Sequence, residues 1–136
     1  MSPSSARRPE VFLVDGHEAV REGLRVLLAR EGFEVCGEAA DAEQALKGVA
    51  DTSPNVAVVG LNLPEGESLS LIAELSRRGL PVVAYCAERN WRRIEESFEA
   101  GATGFVCKAE PSGALVAAVR QALLGECYLS EQAGRC

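Results

Sequence analysis

The chain has no surplus of positive charge: 14 Lys and Arg stand against 20 Asp and Glu, for a formal net charge of -6. That balance argues against a nucleic-acid surface within this segment, where a basic patch would be needed. No apolar run approaches the roughly 20 residues of a membrane-spanning helix. Met1 to Pro9 is rich in Ser, Pro and Arg and lacks the apolar core of a signal peptide; it reads as a disordered leader, residues 1–9, on a cytoplasmic protein. Five cysteines, an odd number, include no CxxC pair, and the one histidine forms no Cys/His cluster. A disulfide framework or a zinc site is therefore not expected, and the thiols read as small core residues. The most telling absence is a side chain at Gly60.

Gly60 closes the stretch Val56-Ala57-Val58-Val59-Gly60-Leu61-Asn62-Leu63-Pro64. Small apolar, mostly β-branched residues suit a strand covered on both faces. In parallel sheets the loop beyond the carboxyl end of such a strand usually carries the chemistry. The residue ending the strand largely decides what that chemistry is, and glycine supplies none.

The 136 residues suffice for one domain. Strand and helix signals alternate along it. Val11–Val14 is an apolar run before Asp15-Gly16-His17. Val20, Leu24, Leu27 and Leu28 then recur at helical spacing, with Gly32 as the stop. Residues 33–39 alternate as a half-exposed edge strand would. Asp41 caps a second helix bearing Ala42, Ala45, Leu46 and Val49. Ser68 is expected to cap a third, with Leu71, Ile72 and Leu75 inward. Pro81–Tyr85 is a fourth strand, followed by a helix over about 89–100 carrying Trp91, Ile94 and Phe98. Gly104–Cys107 is the fifth strand. Pro111 suits the first turn of a last helix with Leu115, Val119 and Leu123 inward and Gly125 at its end. Residues 10–126 thus form the domain, and 127–136 read as the start of a linker or tail.

Five strand–helix units with short connections predict an α/β fold: a five-stranded parallel sheet, order 2-1-3-4-5, with helices on both faces. Asp15, Gly60, Cys86 and Lys108 then lie at carboxyl ends of four strands and converge on one pocket.

The segments VFLVDGHEAVREGLRVLL (11–28), GEAADAEQAL (37–46), AGATGFVCK (100–108) and ALLGECYLS (122–130) resemble, taken together, the receiver domains of bacterial response regulators. These are the CheY-like (flavodoxin-like) proteins, and the likeness is narrowest to the NarL/FixJ, or LuxR-type, subgroup. The resemblance implies an acidic pair after strand 1, which here reads Asp15-Gly16. It places the phosphoacceptor aspartate at Gly60 and the hydroxyl residue of strand 4 at Cys86. The lysine after strand 5 is Lys108, the aromatic switch position is Phe105, and the loop proline is Pro64.

Phosphoryl transfer to a receiver needs a carboxylate nucleophile, a divalent cation held by several oxygens, and donors for the phosphoryl oxygens. Gly60 removes the nucleophile and one metal oxygen, Gly16 removes another, and Cys86 replaces a hydroxyl with a weak donor. Magnesium, which demands hard oxygen ligands, is expected to bind weakly or not at all, and no other cofactor is implied. The expectation is a degenerate pseudo-receiver, not phosphorylated on aspartate and not an enzyme.

Bland readings compete residue by residue. Asp15 is either a remnant metal ligand or the ion-pair partner of Lys108, and the pair is favoured. Cys86 and Cys107 read as buried thiols before redox groups. His17 reads as a helix-start residue. Trp91 and Phe98 read as core or partly buried, with a place on a protein-binding face as the alternative for Trp91. Arg92 and Arg93 followed by Glu95 and Glu96 read as a solvated helix face. Glu65 and Glu67 read as a solvated loop.

The subgroup resemblance implies signal transduction by protein–protein contact or homodimerisation, with transcription regulated through a helix-turn-helix domain beyond Cys136. DNA would be touched only through that domain, and no membrane is involved. The alternatives are a stand-alone adaptor, or a ligand- or redox-sensing domain using the vacated pocket.

Overall fold

The computed structural model describes residues 8–64, 66–87, 90–108 and 112–129. Glu65 and Pro111, singled out above, lie outside them, as do most of the leader and Cys136. Elements alternate in the order β1 (Glu10–Val14), α1 (Glu18–Arg30), β2 (Glu34–Ala39), α2 (Ala42–Thr52), β3 (Val56–Gly60), α3 (Glu67–Arg77), β4 (Val82–Cys86), α4 (Trp91–Ala100), β5 (Gly104–Cys107), α5 (Ser112–Leu123) and β6 (Tyr128–Leu129). No helix among the described residues is long and apolar enough to cross a membrane.

All strands pair in parallel, in the order β2-β1-β3-β4-β5-β6. The expected order 2-1-3-4-5 is therefore right for the first five strands, and the strand count is one short. Residues Tyr128 and Leu129, read above as the start of a linker, add a short sixth strand against Gly104 and Phe105. The Tyr128 N–H donates to the Thr103 carbonyl at 2.8 Å. Two residues carry too little pattern to be legible as a strand; it is the exposed edge of β5 that recruits them.

The central strand β3 is buried along its whole length, as its continuous apolar sequence requires. Alternate residues of the sheet feed two cores. On one face Phe12, Val14, Ala57, Val59, Ala84 and Phe105 meet α2, α3 and α4 through Ala45, Leu71, Ile72, Leu75 and Ile94. On the other, Val11, Leu13, Val58, Val83 and Val106 meet α1 and α5 through Leu24, Leu28, Leu115 and Val119. Each fully buried Leu, Val or Phe contributes about 1.5–3 kcal/mol relative to exposure. Phe12 fits only because Gly37 and Gly48 lack side chains: a Cβ at either would stand 2.6 or 2.5 Å from its ring.

Caps position the strand ends. Asp41 accepts from the Gln44 N–H at 2.8 Å and starts α2 as expected. Asn90 accepts from the Arg92 and Arg93 N–H groups and starts α4. Ser68 does not cap α3. Gly66 occupies that position with φ 80°, and Ser68 is buried in the first turn. Its hydroxyl donates to the Gly60 carbonyl at 2.9 Å and accepts the Leu63 N–H at 3.3 Å. That clamp fixes the loop leaving β3.

Candidate functional site

The fold brings Asp15, Gly60, Cys86 and Lys108 to the carboxyl edge of the sheet, at the point where winding reverses between β1 and β3. Asp15 follows β1, and its backbone is pinned from both sides. Its N–H donates to the Ala39 carbonyl at 3.1 Å, and its carbonyl accepts from Arg21 Nη1 at 2.7 Å. Arg21 is held in turn by Glu38, which also pairs with Arg25.

The Asp15 side chain is 1% exposed and faces into the site. Its Oδ1 accepts the His17 N–H at 2.8 Å and the Asn62 side-chain amide at 2.8 Å. Its Oδ2 pairs with Lys108 Nζ at 3.3 Å. Burial pushes the Asp15 carboxyl up. The Asn62 amide, the His17 N–H and the Lys108 charge outweigh that and hold it below the ordinary 3.8. The ion pair favoured from sequence is present.

Asn62 is the residue that sequence reasoning missed. Its amide nitrogen donates to Asp15 Oδ1 at 2.8 Å and lies 2.8 Å from His17 Nδ1. Its Oδ1 accepts the Gly16 N–H at 3.4 Å. Turning the amide over would face two N–H groups against each other, so this orientation follows from the network. His17 Nδ1 also stands 3.3 Å from Asp15 Oδ1, so the ring packs against both the amide and the carboxylate. His17 also occupies the position before α1, as expected.

The absence of a side chain at Gly60 has not left a void. A Cβ there would stand 2.7 Å from Asp15 Oδ2, 3.2 Å from Asp15 Cγ and 3.2 Å from Asn62 Oδ1. Asp15 and Asn62 occupy the space into which a side chain at position 60 would project. Gly16 is different: a Cβ there meets nothing closer than 3.9 Å. The vacated pocket read from the sequence is thus closed at Gly60 and less crowded at Gly16.

Arg93 was read above as part of a solvated helix face. It is half-buried, and its guanidinium reaches from α4 to the Leu61 carbonyl on the loop after β3. Trp91, by contrast, is 49% exposed, so it lies outside the core. Lys108 also lies over the Tyr85 ring, 5.3 Å from its centroid. Burial, then the nearby Asp15 and Cys107, push the Tyr85 hydroxyl up from its ordinary value. Cys86 and Cys107 are buried register partners on β4 and β5. The Cys107 thiol makes a long contact with the Ala87 carbonyl at 3.8 Å.

Together His17, Leu61, Asn62, Tyr85, Cys86, Ala87, Arg93 and Lys108 line a cavity of about 220 Å³. A larger hollow of about 620 Å³ lies at the opposite end of the strands, by Glu10, Thr52 and Asn55, away from these groups. Among the described residues no three His, Cys, Asp or Glu side chains cluster as a metal site would require. Asp15 is the one carboxylate in the pocket within that set, and its oxygens are committed to protein donors. The residues present do not fit magnesium, which needs several free hard oxygens.

Comparison with known proteins follows the same outline. The family model described as the response regulator receiver domain matches residues 11–120. The chain is 32% identical to the virulence-factor transcription regulator BvgA of Bordetella pertussis, over 88% of this chain and 58% of BvgA. It is 35% identical to the DNA-binding transcriptional activator DevR/DosR of Mycobacterium tuberculosis, over 91% of this chain and 58% of that protein. It therefore spans somewhat over half the length of these relatives. Among solved structures, a LuxR-family two-component response regulator from Aurantimonas sp. SI85-9A1 superposes with a TM-score of 0.89. That match is at 30% identity and covers 95% of this chain and 94% of the other. The chain belongs to the response regulator receiver domain family and stands close to transcription regulators of the LuxR type.

Proposed function

We propose that this receiver domain works without phosphorylation on aspartate. The observation that carries the reading is Gly60 at the acceptor position, with Asp15 Oδ2 within 2.7 Å of where its Cβ would be. The acceptor carboxylate is missing and the neighbouring carboxylate is paired with Lys108 and Asn62 in its place. Phe105, at the aromatic switch position, is fully buried in the core against α4 and has no hydroxyl to exchange with solvent. These features favour one standing conformation over a phosphate-driven pair of states.

The output is then protein–protein contact or homodimerisation, in a protein that regulates transcription through a helix-turn-helix domain following this segment. Two exposed apolar residues support a contact role: Val26 on α1, 57% exposed, and Leu124 at the end of α5, 72% exposed. Both helices cover the same face of the sheet. A non-enzymatic role fits the pocket, where no nucleophile–base pair is found among the described residues.

The test is incubation with acetyl phosphate and magnesium, followed by intact-protein mass spectrometry. The expected outcome is no hydroxylamine-labile phosphoryl adduct, while an active receiver treated in parallel acquires one. An acylphosphate mapped to Asp15 or any other carboxylate of this pocket would overturn the proposal.

A further inference from the structure

The loss of two acids has a consequence for the sign of the pocket. A phosphorylation site of this family must attract a divalent cation, so acids dominate it. Here the described groups at the cavity are the Lys108 ammonium, the Arg93 guanidinium, the His17 imidazole and the Asn62 amide. The one acid at the site among the described residues, Asp15, lies beneath them at 1% exposure. Both of its oxygens are already occupied, by Asn62, the His17 N–H and Lys108. Among the described residues it pairs with one of the two permanent cations, Lys108, and not with the other, Arg93.

Arg93 uses one N–H group on the Leu61 carbonyl, and a guanidinium has five. Lys108 has three donors, is 20% exposed at its side chain and lines the cavity. The two approach from different elements, α4 and the end of β5, with β3's loop between them. The chain as a whole carries -6, so an anion would be drawn by this local arrangement and not by the overall field. A concave site with convergent cationic donors and a Cys86 wall suits a small oxyanion, held by charge-assisted hydrogen bonds.

We infer that the cavity bounded by His17, Asn62, Cys86, Arg93 and Lys108 is a non-covalent site for a small oxyanion, phosphate or a short carboxylate. The anion bridges Arg93 and Lys108 and so ties α4 to the end of β5. The inference rests on the proposal above that no carboxylate here is acylated, since an acyl phosphate would fill the same space.

Titration of the full chain with orthophosphate, and separately with acetate, at constant ionic strength tests it by calorimetry and by the shift of the Asn62 side-chain amide resonances. Orthophosphate carries no activated leaving group, so it reports binding without acylation. The expected result is saturable binding of one or both anions that shifts the Asn62 amide. Arg93→Gln should weaken it about tenfold or more, as loss of a charged hydrogen bond does. Arg92→Gln, one residue away on the exposed helix face, should leave it unchanged and serves as the folding-neutral control. No saturable binding of either anion would overturn the inference and leave the absence of acylation as it stands. Equal binding by the Arg93→Gln variant, shown folded by circular dichroism, would overturn it too.

Discussion

Gly60→Asp is expected to destabilise the protein by about 2–4 kcal/mol and to leave it unable to accept a phosphoryl group. The substitution supplies the carboxylate that a receiver needs, so naive restoration would predict a gain. The geometry predicts a loss. A Cβ at position 60 stands 2.7 Å from Asp15 Oδ2, a separation that Cβ atoms essentially never show. Asp15 cannot give way freely, because its oxygens hold Asn62, the His17 N–H and Lys108. Moving it breaks those bonds in a buried site, and the new carboxylate repels it. Gly60→Ala isolates the steric part and should cost about 1–3 kcal/mol. The gap between the two variants should narrow as pH falls and one of the two acids protonates. A Cβ at position 16 makes only ordinary van der Waals contact, 3.9 Å from the Ala40 carbonyl and Asn62 Oδ1, so Gly16→Asp should change stability by less than about 1 kcal/mol. Urea denaturation of the three variants checks the order. A Gly60→Asp protein as stable as the parent would show that Asp15 does not hold this space.

Lys108→Met is expected to cost about 3 kcal/mol at neutral pH. It leaves Asp15 buried without its countercharge, and removing one member of a buried pair is strongly destabilising. Asn62 and the His17 N–H still bond the carboxylate, which keeps the loss at the low end of the usual range. The pH dependence follows from the lowered pKa of Asp15 in the fold. A depressed carboxyl contributes stability that is complete above the ordinary value near 3.8. That stability is lost as pH falls through the lower folded value. The parent should therefore lose stability through that window. The Lys108→Met variant, its Asp15 held down less strongly, should lose less, so the two curves draw together in acid. Thermal or urea unfolding measured from neutral pH downward follows the convergence. A difference that stays constant into acid would assign the Lys108 contribution to packing on Tyr85 instead of to the charge.

The fold was legible because its signals are long and local. Apolar runs ending in Gly or Asp, helical spacing of Leu and Val, and the Asp41 cap each act within about ten residues. Even so, β6 escaped, since a two-residue strand is decided by the edge it joins. The site was legible where chain order decides it: Asp15, Gly60, Cys86 and Lys108 had to meet once the strand order was known. It was not legible where side-chain direction decides it. Asn62 lies two residues past Gly60 in a loop with no periodic pattern, and only the geometry shows its amide serving Asp15 and His17. Arg93 sits in a charged run that reads as solvated, yet it turns inward toward the Leu61 carbonyl. Ser68 looked like a cap because a serine beside a helix start usually is one. It is buried in the first turn of α3, and its hydroxyl clamps the Gly60 carbonyl instead.

The account depends on what the one remaining pocket carboxylate does. Carbon-13 NMR of the Asp15 side-chain carboxyl, titrated with acid in the presence and absence of magnesium, reads this directly. The account predicts a midpoint below that of an ordinary aspartate, unmoved by magnesium, because Asn62, the His17 N–H and Lys108 already hold the charge. A midpoint at or above the ordinary value, or one that magnesium lowers further, would show a carboxylate free to take a metal and would contradict it.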